Sequence, residues 1–163
     1  MRVLSSFILF FFLASSSFCQ SKKEYHTDYL IPDGYVGWVR AVHEVKDAPA
    51  LPIEDERTVF KFDESGLLKT SDQVQEGWVY PRYYYYLNSN KTALSNSTEK
   101  EGMIHSEKVA NTTILDFFVG TEKQYGLWYE SNCGKERDIF DYLPQNIKQC
   151  LEDYEKSKVL RKQ

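Results

Sequence analysis

The sequence predicts a mainly β protein, an antiparallel β-sandwich-like domain carrying a C-terminal α-helix. Short runs rich in β-branched and aromatic residues alternate with turn signals along most of the chain. Helical periodicity is confined to the last thirty residues. The aromatic load of 3 Trp, 12 Tyr and 10 Phe in 163 residues is enough to fill the space between two sheets.

The chain opens MRVLSSFILFFFLASSSFCQSKKEYH, with Arg2 ahead of an apolar run and small residues behind it. That order is a secretory signal peptide over residues 1–19, and the run is too short for a mature membrane-spanning helix. Two cuts fit. Ser17 and Cys19 suit cleavage before Gln20, whereas Cys19 could instead be the lipidated first residue of a bacterial lipoprotein, with Phe18 before it a departure from the usual small residue. A multiply acylated cysteine would anchor the chain stably. Removing residues 1–19 leaves 144 and takes away Arg2 alone of the charged residues, so the net charge moves from −4 to −5. An acidic chain without a basic stripe is a poor nucleic-acid binder, and nucleic acid is excluded as a partner.

After a polar tether at residues 20–26, a β-rich domain is expected over 27–131. TDYLI (Thr27–Ile31) reads as a short strand, Pro32-Asp33-Gly34 as a turn, and Tyr35–Val45 as a long strand. Within it Val36, Trp38, Arg40 and Val42 face one way, and Tyr35, Gly37, Val39 and Ala41 the other. Gly37 implies a bulge or a close neighbour, one of the large aromatics being the expected one. Asp47–Glu56 is a proline-bearing loop. Thr58–Phe62 is a half-buried strand, and Glu64-Ser65-Gly66 turns it into Leu67–Ser71 as a hairpin. Trp78–Leu87 is a strand in which Pro81 argues for an edge position or a bulge. Residues 88–100 read as a loop. They hold the glycosylation triplets starting at Asn90 and Asn96, with a third at Asn111, which would be acceptors in a eukaryotic host and chance matches in a bacterium. Strands follow within GMIHSEKVA and at Thr113–Thr121, and Tyr125–Ser131 fits either strand or turn.

Residues 132–163 form the C-terminal helical segment. Ile147, Cys150, Leu151 and Tyr154 fall on one helix face, Pro144 suits the first turn, and Asp138–Leu143 suits a preceding helical turn. In an exported chain Cys133 and Cys150 most simply pair, stapling the helix to the sheet. His26, His43 and His105 stand singly, without metal-ligand spacing, and no metal or cofactor is expected.

Chemistry-bearing groups are sparse. There is no GxSxG, HExxH or phosphate-cradling glycine loop, so no catalytic residue is assigned and a non-enzymatic role is expected. Asp116 and His43 are the best single candidates for catalysis, Asp116 more simply an outward-facing solvated residue or a turn partner and His43 a surface or satisfied one. Glu54, Asp55 and Glu56 cluster in a loop without a visible partner. Trp78 with Tyr83, Tyr84, Tyr85 and Tyr86 offers rings that could bind a sugar by stacking or a peptide by packing, although strand alternation places two of the four tyrosines on each face. The partner expected is an envelope protein, peptide or glycan, with membrane contact only through a lipid on Cys19.

YLIPDGYVGWVRAVHE, APALPIEDERTVFKFDESGLLKTS and FVGTEKQY together resemble an uncharacterised family of small bacterial exported or lipid-anchored proteins. The resemblance spans about residues 27–130 and rests on Ile31, Pro32, Gly34, Tyr35, Gly37, Trp38, Gly66, Thr70, Ser71, Gly120 and Thr121. It implies export and a compact β-rich domain, with no assigned activity. These residue types are turn-makers and packers, so it implies a structural role for them.

Overall fold

The computed structural model describes residues 23–95, 102–111, 113–134 and 144–160. The leader with Cys19, the Asn96 triplet and the expected turn at 138–143 lie outside the described residues. The strands are β1 (Glu24–Pro32), β2 (Gly37–Val42), β3 (Ile53–Glu54), β4 (Arg57–Lys61), β5 (Leu67–Lys69), β6 (Trp78–Leu87), β7 (Asn90–Leu94), β8 (Ile104–Asn111) and β9 (Ile114–Val119). The helices are α1 (Glu122–Glu130) and α2 (Lys148–Leu160).

Two sheets form, ordered β3-β4-β1-β6-β7 and β5-β2-β9-β8. Tyr29 and Ile31 of β1, Phe60 of β4, Tyr83 of β6, Val39 and Ala41 of β2, and Phe117 of β9 fill the space between them. The outer face of the second sheet is buried as well: Trp38 and Phe118 pack against Trp128 of α1 and Leu151 of α2. The fold is thus a β-sandwich with a helical layer on one side.

Pairing is mixed rather than purely antiparallel. β1 runs parallel to both β4 and β6, and β2 runs parallel to β5. The expected hairpin after β4 explains the difference. The carboxylate of Asp63 accepts from the Ser65 and Leu67 amides (2.9 and 3.0 Å), a tight side-chain-closed turn. β4 and β5 nevertheless join different sheets, so this turn passes the chain from one layer to the other. A two-residue hairpin lies instead between β3 and β4, where Asp55 (φ 47°) and Glu56 (φ 62°) both adopt left-handed backbone.

Other elements differ from the sequence reading: Glu24–His26, expected in the tether, begin β1, and Ile53–Glu54, expected in the proline-bearing loop, form β3. Residues 90–94, expected as loop, form β7 against β6. Residues 122–130 form α1, because Thr121 accepts from the Gln124 amide (3.2 Å) while the Gln124 side chain accepts from the Thr121 amide (2.8 Å), a reciprocal cap written as T-E-K-Q. Pro144 precedes α2 by four residues. The Ile147 amide donates to Val36 O at 2.7 Å and holds 144–147 against the second sheet before the helix begins.

Gly37 sits where those strands meet. With φ +143°, it has the carbonyl of Gln145 lying where a Cβ would be, so its close neighbour is backbone rather than an aromatic ring. The aromatic neighbour belongs to Gly66, whose missing Cβ makes room for the Tyr35 hydroxyl. That hydroxyl lies 2.5 Å from Trp38 O and 3.1 Å from Ser65 O, and burial pushes its pKa far above the ordinary phenol value.

Candidate functional site

β6 carries the residues singled out for ligand binding, and its two flanks differ. One is bonded to β1 along the whole strand, from Glu24↔Trp78 to Pro32↔Tyr86. The other meets β7 only from Tyr83↔Leu94 to Leu87↔Asn90. Among the described residues, no strand lies beside Trp78–Arg82 on that second flank. The Trp78 amide donates to Lys23 O at 2.9 Å, so by alternation Val79 and Pro81 turn their backbone outward. Pro81 therefore removes a donor where the strand is an edge, as its place in the sequence implied. Where β7 stops, a notch of about 520 Å³ opens, bounded by Pro81–Tyr84 and Ala93–Ser95.

The predicted rings divide between two surfaces. Tyr83 is 4% exposed and stacks on Tyr29 at 5.0 Å inside the sandwich. The Tyr85 hydroxyl donates to Tyr35 O at 2.6 Å, and burial, followed by the charge of Asp33, pushes its pKa up to about 12. Tyr86 faces outward but is tied by its hydroxyl to Phe62 O at 2.9 Å, with burial and then the acids Glu64 and Asp63 raising its pKa. Tyr84 is half-buried on the outer face, with the Lys91 ammonium 5.9 Å from its ring centre. Trp78 is 59% exposed. Tyr80, absent from the predicted set, is 48% exposed and stacked on His26 at 5.3 Å. The period-two pattern carried the missing signal, since Trp78, Tyr80, Arg82 and Tyr84 share one face.

On the same face, beside these rings, a buried ion pair fixes the strands. Arg57 of β4 pairs with Asp28 of β1, and its guanidinium also donates to Thr27 O (2.8 Å) and Tyr80 O (2.9 Å), tying β4, β1 and β6 together.

The candidate catalytic residues point apart. Asp116 turns to the outer side of the second sheet, yet it is 1% exposed rather than solvated, and Arg40 holds it in a two-point pair at 2.8 and 3.0 Å. His43 points into the sandwich instead, 4% exposed, and its Nδ1 has no hydrogen-bond partner. It is neither a surface nor a satisfied histidine. Glu54, of the loop acids, lies 3.6 Å from the Lys91 ammonium.

The motif residues hold the frame. Gly34 (φ +68°) makes the β1–β2 turn. Thr70 accepts from the Asp72 amide (3.1 Å) and donates to Pro49 O (3.0 Å), and the Ser71 amide reaches the same carbonyl at 3.3 Å, pinning the proline-bearing loop. Gly120 has the Phe118 ring and Val36 where a Cβ would sit. Cys133 and Cys150 form the expected disulfide, joining the chain after α1 to α2.

No curated protein matches the sequence. Among solved structures, a "Putative Lipoprotein from Bacillus anthracis" is similar at 25% identity and a TM-score of 0.48, over 85% of this chain and 94% of that one. A family model, described as a family of unknown function (DUF6843), matches residues 23–136, which span the whole sandwich and α1. The chain belongs to that family of unknown function.

Proposed function

We propose that this chain is an exported, non-enzymatic domain of the bacterial cell envelope that binds an extended peptide or a glycan along the open half of β6. The observation that carries the reading is the notch where β7 ends, beside the face bearing Trp78, Tyr80, Arg82 and Tyr84. Exposed flat rings at alternate positions stack on sugars or pack against peptide side chains, and Arg82 and the outward carbonyls supply polar contacts. Tyr83 and Tyr85 support the site from inside rather than touching a ligand. Export is supported by the leader and by the Cys133–Cys150 disulfide, which suits an oxidising compartment. The non-enzymatic reading is supported by the opposite orientations of Asp116 and His43.

Tryptophan fluorescence tests the binding. Trp38 and Trp128 are buried, so a ligand on β6 should change the signal of Trp78 alone, and Trp78→Phe should abolish that change. Silence across diverse peptide and glycan sets would end the reading. Intact mass of the protein from its own host tests export: a chain beginning at Gln20 is secreted, and an acylated Cys19 is anchored. An uncleaved Met1 would refute both.

A further inference from the structure

A second cavity lies at the end of the sandwich, away from the notch. Ser71–Gly77 leads from β5 in one sheet to β6 in the other, and so closes that end like a strap. It is fastened at several points. The Gln75 side chain donates to Thr58 Oγ1 at 3.1 Å and accepts from Thr27 Oγ1 at 3.3 Å, spanning the paired positions of β1 and β4. Asp72 accepts from the Leu51 amide at 2.8 Å, and its carbonyl accepts from the Glu44 amide at 3.0 Å. Beneath Val74 and Gln75 is a cavity of about 80 Å³, walled by Tyr29, Phe60 and Leu115, by His43, and by Val79 on the inner side of β6.

His43 is the anomaly in that wall. Nearly all buried polar atoms have a partner, and each exception calls for an explanation. Nδ1 of His43 is buried without one. Burial holds the ring below its ordinary pKa and outweighs the backbone carbonyls of Asp72 and Gln73, which favour the protonated form. The ring is therefore neutral at pH 7. A neutral imidazole carries one N–H and one bare nitrogen, so the buried Nδ1 is a polar atom in search of a hydrogen-bond partner.

Water is a poor answer. A water takes roughly 30 Å³ and needs two to four polar partners. The cavity has room for two or three, but the Gln75 amide is already engaged with the threonines, and the Phe60, Val74, Val79 and Leu115 side chains offer no polar atom. One hydroxyl, able to donate or accept, on a small apolar body satisfies Nδ1 and fills the space together. We infer that the strap-covered cavity is a binding pocket for a small neutral alcohol, or the hydroxyl-bearing tip of a larger apolar molecule, with His43 Nδ1 hydrogen-bonded to its hydroxyl. This site is separate from the β6 face, and either can stand without the other.

The test is an NMR titration of the full chain with tert-butanol, reading the His43 Nδ1 nitrogen shift, with xenon as an apolar probe lacking a donor. The shift should move saturably toward that of a hydrogen-bonded nitrogen, with Trp78 fluorescence unchanged. His43→Leu should keep xenon uptake but weaken the alcohol about fivefold, the worth of one ordinary hydrogen bond. Val74→Phe should abolish both by filling the space. Nδ1 already bonded without alcohol and unmoved by it means an ordered water only, and overturns the inference. So does xenon binding without a saturable alcohol response, or equal alcohol affinity in His43→Leu. Should that variant not fold, the wild-type titration and Val74→Phe decide the matter.

Discussion

Arg57→Met should be among the most damaging single substitutions in this protein. Arg57 and Asp28 are 8% and 9% exposed, and the guanidinium reaches Asp28 and the backbone of β1 and β6. Methionine keeps most of the volume but leaves the Asp28 carboxylate buried without its cation. Breaking a buried pair from one side costs about 3–5 kcal/mol, a large share of the roughly 5–15 kcal/mol that holds a domain together. With a urea slope of about 2 kcal/mol per molar, the midpoint should fall by about 2 M. Removing both charges is a different perturbation. Asp28→Leu combined with Arg57→Met leaves no orphaned ion, and such replacements are commonly neutral or better. Equilibrium urea unfolding of both singles and the double closes the cycle, and the double should lie within about 1 kcal/mol of wild type. A single mutant with an unmoved midpoint would refute the reasoning, as would a double no more stable than the worse single.

Cys150→Ser should cost about 3 kcal/mol on the chain-entropy account of a loop closed over 17 residues. Reductant should lower the thermal midpoint of wild type to that of the variant, and an unshifted wild type would count against the staple. Gly37→Ala should free residues 144–147 from the second sheet, because a Cβ there meets the Gln145 carbonyl at a positive φ. Limited proteolysis should then cut ahead of α2 faster than in wild type. Acid should weaken the fold through His43, whose folded pKa lies below the unfolded value of about 6.5. Its contribution is complete above that pH and is lost as pH falls through it toward the folded pKa. The carboxylates of Asp72 and Glu44 oppose the shift without reversing it. His43→Leu should flatten the stability profile between about pH 6.5 and the acid limb, measured by urea unfolding at stepped pH.

What the sequence disclosed of the fold was local. The aromatic run itself located β6 to the residue, and the i, i+3, i+4, i+7 spacing from Ile147 to Tyr154 located α2, because both are properties of neighbouring residues. The partner of each strand was not local. Glu64-Ser65-Gly66 carries every mark of a hairpin turn, and the turn forms, but Leu67–Lys69 goes to β2 instead of β4. A turn motif fixes how a chain reverses, not which sheet receives it. The α1 helix was hidden for another reason. Its sequence EKQYGLWYE has a glycine inside and a ragged apolar face, while the signal for its start lies in Thr121 and Gln124, outside the aromatic run that fitted either strand or turn.

The site was legible to the same degree. Pro81 gave away the edge, since a missing donor is tolerated only where no strand waits for it. The extent of the notch depends on β7 ending at Leu94, which a polar stretch read as loop could not reveal. Tyr83–Tyr86 drew attention as a block, yet a block of four in a strand is two pairs on opposite faces, and only the outward pair stands beside Trp78 and Tyr80. His43 was least legible of all. A lone histidine at the end of a strand carries no mark of whether its ring meets solvent, and the strap that buries it returns about thirty residues later, tied down by Gln75 across two strands. Both candidate sites thus arise where an element stops or a connection crosses between layers. Both lie at seams of the fold, and the seams are where a pattern-based reading of sequence has least to say.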